Sequence, residues 1–348
     1  MRQNRILLIG SFSKGAIEHQ FLRVFSEVSW GVSTYDLRET FNEARGDSLF
    51  RKSQHRLMPR QFLGPLNKRL FKYLEKGKIK YDVILVFKGM ELLPESVLEL
   101  RTYCRLLVNY NPDHPTKIYS RGSGNKFVKD AISHYHIYSS YAKRICRDLK
   151  DIHGVESYFL PFGYDETITI QSNPRLDYLE HFFVFIGAFD RDRERALDQL
   201  QSEYLKIFGG SEWESKSKRE RIKKSYTGES LYNESYYFAQ GKALGSINFL
   251  RQQNLIEESH NMRTFEVPFA GGMLIADRTE EQLEFFEEGK EAVYFSTMEE
   301  LKSLLDFYQK HPEKARAIGL NAHKRSINSN YSYRNRIQEF SKHLLEQL

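Results

Sequence analysis

Cysteine is almost missing from this chain: Cys104 and Cys146 are the only two in 348 residues. Two thiols exclude a disulfide scaffold and a cysteine-ligated zinc or iron–sulfur cluster, and they fit a reducing compartment. Long apolar runs are missing too. Residues 83–87 (VILVF) and 182–189 (FFVFIGAF) fall far short of the roughly 18 residues a spanning helix needs, so no membrane span is expected. The start, MRQNRILLIGSFSKG, lacks the full apolar core of an export signal and reads as a first strand followed by a glycine loop. Several catalytic signatures are absent as well: no Walker A sequence, no G-x-S-x-G elbow, no kinase set, and no metal-ligand spacing among 11 histidines. The loop after the first strand, residues 11–15, lacks G-x-G-x-x-G, which argues against a Rossmann dinucleotide site.

What is present is the mix of a folded protein, 40% hydrophobic and 28% charged, in a chain long enough for two domains. Strand and helix patterns alternate in both halves, and the strands are nearly continuous apolar runs, as in parallel sheets covered on both faces. Strand candidates lie at 5–10, 31–37, 81–87, 105–110, 136–139 and 157–160, then at 182–186, 204–208, 245–249, 273–276 and 292–295. The expected class is α/β, two Rossmann-like doubly wound domains facing a cleft. The first domain covers 1–162, a polar linker 163–180 follows a Pro/Gly junction, and the second domain covers 181–330. A closing helix at 331–348 is expected to pack back on the first domain. Parallel sheets of this kind bind ligands at the carboxyl ends of their strands.

The net charge of +6 is unevenly spread. Between Arg45 and Lys80 eleven Lys and Arg face only Asp47 and Glu75. Phe62, Leu66, Leu70 and Leu74 recur there at helical spacing. Such a segment can lie on an anionic membrane, hold a pyrophosphate-bearing acceptor, or be an ordinary surface helix packed on a core. A nucleic-acid partner is not expected, because the charge is confined to one segment without a recognised module.

Residues 258–277 (ESHNMRTFEVPFAGGMLIAD) carry the most chemistry. Glu258 and Glu266 are spaced E-x7-E, two turns apart and near one face if the segment is helical throughout. A carboxylate near a helix start can accept two ribose hydroxyls, and the helix start itself can face a pyrophosphate. The plainer reading is that Glu266 caps a helix and Gly271 ends it. Asp113 and His114 follow the strand 105–110 and so reach its carboxyl end. Either can act as a base on an acceptor hydroxyl or bind a sugar hydroxyl, although NPDHP is also a good turn sequence. Ser11, Lys14 and Gly15 can approach a phosphate from the first strand. Asp190-Arg-Asp192 has the form of a metal-binding pair, but Arg191, Arg193 and Arg195 beside it repel a cation, so it is read as loop charge without metal.

These residues resemble the C-terminal signature of the GT-B glycosyltransferases, in particular the CgeB-like (spore maturation protein) branch. Arg263, Phe265, Glu266, Gly271, Gly272 and Asp277 stand where that branch has R-x-F-E, a G-G pair and an apolar strand ending in Asp. FIGA at 185–188, with Arg191 and Arg193, resembles the first strand and loop of the donor domain. FGGSEW at 208–213 and SINF at 246–249 resemble its later strands. NYNPDHP at 109–115 and LPFGYD at 160–165 resemble the family's D-D-P loop and interdomain junction, with His114 in place of the second Asp.

The resemblance implies transfer of a sugar from a nucleotide-diphosphate sugar to a glycan or lipid-linked acceptor. No metal or cofactor is needed, and E-x7-E leans toward retention. It implies that Glu266 holds the nucleotide ribose, with Arg191, Arg193, Arg263 and the glycines Gly187, Gly209, Gly271 and Gly272 around the donor. Asp113, His114 and Glu258 become the catalytic candidates. Lys14, Gly15, Arg56, Arg60, Lys68 and Arg69 lie on the acceptor or membrane side, in a cytoplasmic protein at the inner face of the membrane. The alternative is a sugar- or nucleotide-binding or structural protein that kept the fold without catalysis.

Overall fold

The structure is a computed structural model, described here for residues 3–117 and 122–348. It divides into two compact units. Unit 1 comprises Met1–Pro161 together with Arg334–Leu348, and unit 2 comprises Phe162–Tyr333.

Unit 1 is built on six parallel strands, β1 (Arg5–Gly10), β2 (Gly31–Asp36), β3 (Tyr81–Phe87), β4 (Cys104–Asn111), β5 (Ile137–Ser140) and β6 (Glu156–Phe159), in the order β2-β1-β3-β4-β5-β6. The apolar runs of β1 and β3 are buried on both faces, from Ile6 to Ile9 and Val83 to Val86, which is why they do not alternate in sequence. The chain runs from β1 to β2 on one side and returns to β3 on the other. The carboxyl ends at Gly10 and Phe87 therefore flank a topological switch point.

Helix α1 (Glu18–Glu27) covers this sheet through Phe21, Val24 and Phe25. Helix α2 (Leu37–Arg45) starts at Asp36, whose side chain accepts from the Glu39 amide. Helix α3 (Leu49–Leu57) buries none of its residues. Helix α4 (Pro59–Gly77) buries Phe62, Leu66, Leu70 and Leu74, so the apolar stripe of the basic segment faces the core of unit 1. The closing helix, Tyr333–Glu346, lies in unit 1 from Arg334 onward. Trp30 Nε1 donates to Ser341 Oγ at 2.8 Å, and Phe340 packs on Phe21 and Tyr158.

Unit 2 is built on five parallel strands, β7 (Phe183–Ile186), β8 (Leu205–Phe208), β9 (Gly245–Asn248), β10 (Leu274–Asp277) and β11 (Val293–Phe295), in the order β11-β10-β9-β7-β8. Its switch point lies between β7 and β9, beyond Ile186 and Asn248. Part of the polar stretch expected as a linker is packed structure: Pro174–His181 forms a 3-10 helix whose Leu176 and Leu179 join a core with Val184, Ile186 and Phe208. Two leucines spaced three apart fit a 3-10 turn, where i and i+3 eclipse, and that signal is lost among the polar neighbours.

Among the described residues, no helix is long and apolar enough to cross a membrane.

Candidate functional site

The residues beyond β7 and β9 form a small cationic seat in unit 2. Arg193 lies in the short helix Arg191–Leu197 and is only 8% exposed. Its Nη2 donates to the Phe249 carbonyl at 3.2 Å, and its guanidinium lies 5.6 Å from the Phe185 ring centroid. Arg263 opens the helix Arg263–Phe269 and lies 6.0 Å from the same ring, with its Nε buried and without a hydrogen-bond partner. Burial, with Arg263 and Arg251 nearby, pulls the Arg193 guanidinium down to about 10. Burying one guanidinium beside a second is costly unless anions join them. Asp190 and Asp277 are the carboxylates that feel Arg193, and Asp277 is itself pushed up to about 6 by burial although the Leu250 amide donates to it at 2.7 Å.

Gly187 and Gly209 keep this seat open. A Cβ on Gly187 would lie 2.8 Å from Arg263 Nη2, and one on Gly209 would lie 2.3 Å from the Gly187 carbonyl. That carbonyl also accepts from Trp213 Nε1 at 2.8 Å, which pins the ends of β7 and β8 together.

Glu266 sits one turn after Arg263 and remains partly exposed. Its Oε2 accepts from Tyr236 Oη at 2.6 Å. Burial raises the Glu266 carboxyl, opposed by the Tyr236 hydrogen bond and by Arg263. A partly exposed carboxylate with one oxygen held and the other turned to solvent suits a vicinal diol.

The start of the Arg263–Phe269 helix does not offer the free amides expected of it. The Arg263 amide donates to Asn261 Oδ1, that of Thr264 to the Asn261 carbonyl, and those of Phe265 and Glu266 to the Met262 carbonyl. The anion-holding role in this seat therefore falls to side chains. The segment before it is set by His260, which is fully buried. His260 Nε2 accepts from the Phe162 amide at 3.2 Å, so its Nδ1 carries the proton donated to Glu281 Oε2 at 2.7 Å.

Glu258 and Glu266 do not share a helical face. The chain forms Gln252–Ile256, breaks, and restarts at Arg263; Glu258 lies in the break with φ +49°. Its Oε2 accepts from the Glu280 amide at 3.2 Å, capping the next helix. Arg191 is more than half exposed and turns to Glu194 at 3.1 Å, away from the pair formed by Arg193 and Arg263. Gly271 (φ +82°) ends its helix in the left-handed region, with open space where a Cβ would go, and a Cβ on Gly272 would meet the Gln240 carbonyl at 2.1 Å, so the first serves the turn and the second close packing. Asp190 accepts from the Asp192 and Arg193 amides as a helix cap.

In unit 1, Asp113 Oδ2 pairs with Lys88 Nζ at 2.5 Å, and its amide donates to Asn111 Oδ1. Lys88 follows β3 in the left-handed region at φ +56°, a strained conformation for a residue with a side chain. Lys88 lines a cavity of about 730 Å³ at the switch point, together with Gly10, Ser11 and Phe87. His114 is buried, and its Nδ1 accepts from the Thr116 and Lys117 amides, which is a turn-forming role. The Ser11 amide donates to Glu18 and that of Phe12 to Asp36, while Lys14 and Gly15 are exposed beyond them. Arg56 and Arg60 line a cavity of about 1230 Å³, Arg69 lines a smaller one beside it, and Lys68 is exposed on α4.

Tyr236, Asn261 and Lys88 were not singled out from sequence. Tyr236 lies 30 residues from its carboxylate and Lys88 lies 25 from its own, so no local spacing marks either pair.

Comparison with known proteins finds a family match over part of the chain and a likeness in fold over nearly all of it. Residues 191–342 match the family described as glycosyl transferase-like. The chain is similar in structure to the sucrose-phosphate synthase of Thermosynechococcus elongatus, at 12% identity over 99% of both chains with a TM-score of 0.71. It is similar to Anabaena HepE in complex with UDP-glucose, at 12% identity over 99% of this chain and 100% of that one, TM-score 0.67. It is also similar to a UDP-forming trehalose-phosphate synthase of Burkholderia xenovorans, at 11% identity over 98% and 99%, TM-score 0.65. No curated protein matches the sequence. The fold is GT-B, two Rossmann-like units each on a parallel sheet. The family match lies mostly in unit 2 and runs into the last helix, which belongs to unit 1.

Proposed function

We propose that the protein transfers a sugar from a nucleotide-diphosphate sugar to a glycan or lipid-linked acceptor, without a metal ion and with retention, and that it belongs to the CgeB-like branch. The observation that carries the donor half is the pair of a buried Arg193 and a partly exposed Arg263, neither in a salt bridge with a carboxylate among the described residues, beside Glu266 and the open Gly187. In this reading the two guanidiniums hold the diphosphate and offset the charge that builds on it as the glycosidic bond breaks. Glu266, oriented by Tyr236, holds the ribose hydroxyls. The structural neighbours that carry UDP-glucose support a nucleotide sugar as donor. Retention rests on the motif resemblance alone, since the break at Glu258 keeps it and Glu266 off one helical face, and the branch rests on its motif residues.

The acceptor half rests on unit 1. Asp113, braced by Lys88, orients a sugar hydroxyl at the switch point, and the basic helices α2 to α4 face an anionic acceptor or the inner face of an anionic membrane.

Calorimetry with uridine, adenosine and guanosine diphosphates tests the donor half. At least one nucleotide binds, and Glu266→Ala weakens it roughly tenfold while inorganic pyrophosphate binding stays unchanged. Binding of every nucleotide untouched by Glu266→Ala overturns the assignment. Activity that disappears with EDTA and returns with manganese overturns metal independence.

A further inference from the structure

The cavity of about 1230 Å³ in unit 1 is lined by α2, α3, the start of α4, and residues of the 90–91 and 124–127 loops. Six cations line it, Arg38, Arg45, Lys52, Arg56, Arg60 and Lys126, against one carboxylate, Glu91. Glu91 is taken by Arg38 at 2.8 Å, and Arg60 turns to Glu95 at 2.6 Å. Arg45, Arg56 and Lys126 have no acidic partner among the described residues.

Two of the guanidiniums are held by one ring: Arg38 and Arg45 lie 5.1 and 5.5 Å from the Phe41 centroid. Arg45 Nε is buried there without a hydrogen-bond partner. Like charges gathered on a fixed aromatic, with a donor left unmet, are unfavourable until an anion fills the site. The basin is also placed to serve the sheet. It shares Arg38, Phe41, Arg45 and His55 with the cavity of about 730 Å³ that reaches Gly10, Phe87 and Lys88 at the switch point.

We propose that this basin binds the phosphate-bearing end of the acceptor, a phosphomonoester or diphosphate attached to a sugar or a lipid. Planar guanidiniums grip phosphate oxygens in pairs, and three cations without acid partners match the charge of one diphosphate better than that of one carboxylate. The proposal rests on the glycosyl-transfer reading only in calling its ligand the acceptor. The outer side of the same wall admits a lipid source. Leu49, Phe50 and Leu57 are 83%, 76% and 71% exposed on α3, a helix with no buried residue. A free sugar phosphate would reach the basin without them.

The test uses the full chain carrying Arg193→Gln and Arg263→Gln, so that phosphate binding in unit 2 is removed, at about 0.15 M salt. Calorimetry with inorganic pyrophosphate and with glucose 6-phosphate is expected to show one saturable site. Arg45→Gln with Arg56→Gln weakens it roughly tenfold, and Lys218→Gln with Lys224→Gln, exposed in unit 2, leaves it unchanged. A second arm floats the protein with phosphatidylcholine vesicles containing about one-fifth phosphatidic acid. Binding lost on Leu49→Ser with Phe50→Ser assigns a lipid source, and calorimetric binding without flotation assigns a free one. The absence of binding in both arms, or equal loss in the Lys218/Lys224 variant, overturns the proposal. The donor reading is scored separately by nucleotide binding to the chain with Arg193 and Arg263 intact. A basin that fails while nucleotide binds overturns only the present inference.

Discussion

The two sheets hold positive charge in opposite ways. In unit 2 the charge is sparse and close-set: a buried Arg193 and a partly exposed Arg263 flank one phenyl ring, and glycines bring their strands close. In unit 1 it is plentiful and open, with six cations around a cavity of about 1230 Å³. A pair with one member buried is held in fixed geometry and is less screened by salt than an exposed ring of cations. The contrast teaches that one fold can gather its cations tightly in one unit and openly in the other.

The largest effect that would break this comparison belongs to unit 2. Arg193→Gln with Arg263→Gln is expected to weaken nucleoside diphosphate binding by roughly 100-fold or more, read by calorimetry, with circular dichroism confirming an intact fold. Asp113→Asn comes next. It is expected to lower kcat about 100-fold and leave nucleotide affinity unchanged, in steady-state kinetics beside calorimetry. A changed affinity with an unchanged kcat would move Asp113 out of the transfer step.

A smaller effect sharpens the electrostatics. Asp277 titrates at about 6, above the ordinary aspartate value of 3.8, because burial disfavours its ionised form. The folded state therefore holds this proton more tightly than the unfolded chain. Its contribution to stability is complete below about pH 4 and is lost as pH rises through about 6. Protonation also removes the negative charge that Arg193 feels, so nucleotide affinity is expected to rise a few-fold as pH falls from about 7.5 to about 5.5. Asp277→Asn flattens both profiles, since the amide oxygen can still accept from Leu250. The smallest effect lies in unit 1. Gly64, inside α4, has open space where a Cβ would go. Gly64→Ala is expected to stabilise the protein by about 0.5–1 kcal/mol in thermal unfolding, because helix propensity there meets no packing limit.

Much of the architecture was readable before any coordinates. Apolar strands such as ILLI and VILV are buried on both sides, and a run buried on both sides has no alternation to lose. Arg263 and Glu266, three residues apart on one helix, were legible together because helical neighbours at that spacing share a face. The partnership of Glu258 with Glu266 was misread for the same reason. It presumed a continuous helix, while the chain breaks at residues 257–262 to let Glu258 cap the helix that starts at Glu280. Lys88 and Tyr236 were invisible because their partners are set by sheet topology, and topology leaves no mark in local spacing.

The closing helix has a consequence of its own. The first 161 residues and the last 15 make one unit, so everything between them is, in effect, an insertion. During synthesis the Phe162–Tyr333 body is polymerised before the segment that seats Ser341 against Trp30 exists. The amino-terminal half is therefore begun first and finished last. Until the helix of residues 333–346 is made, its hydrophobic face around Phe21 and Tyr158 waits for Phe340.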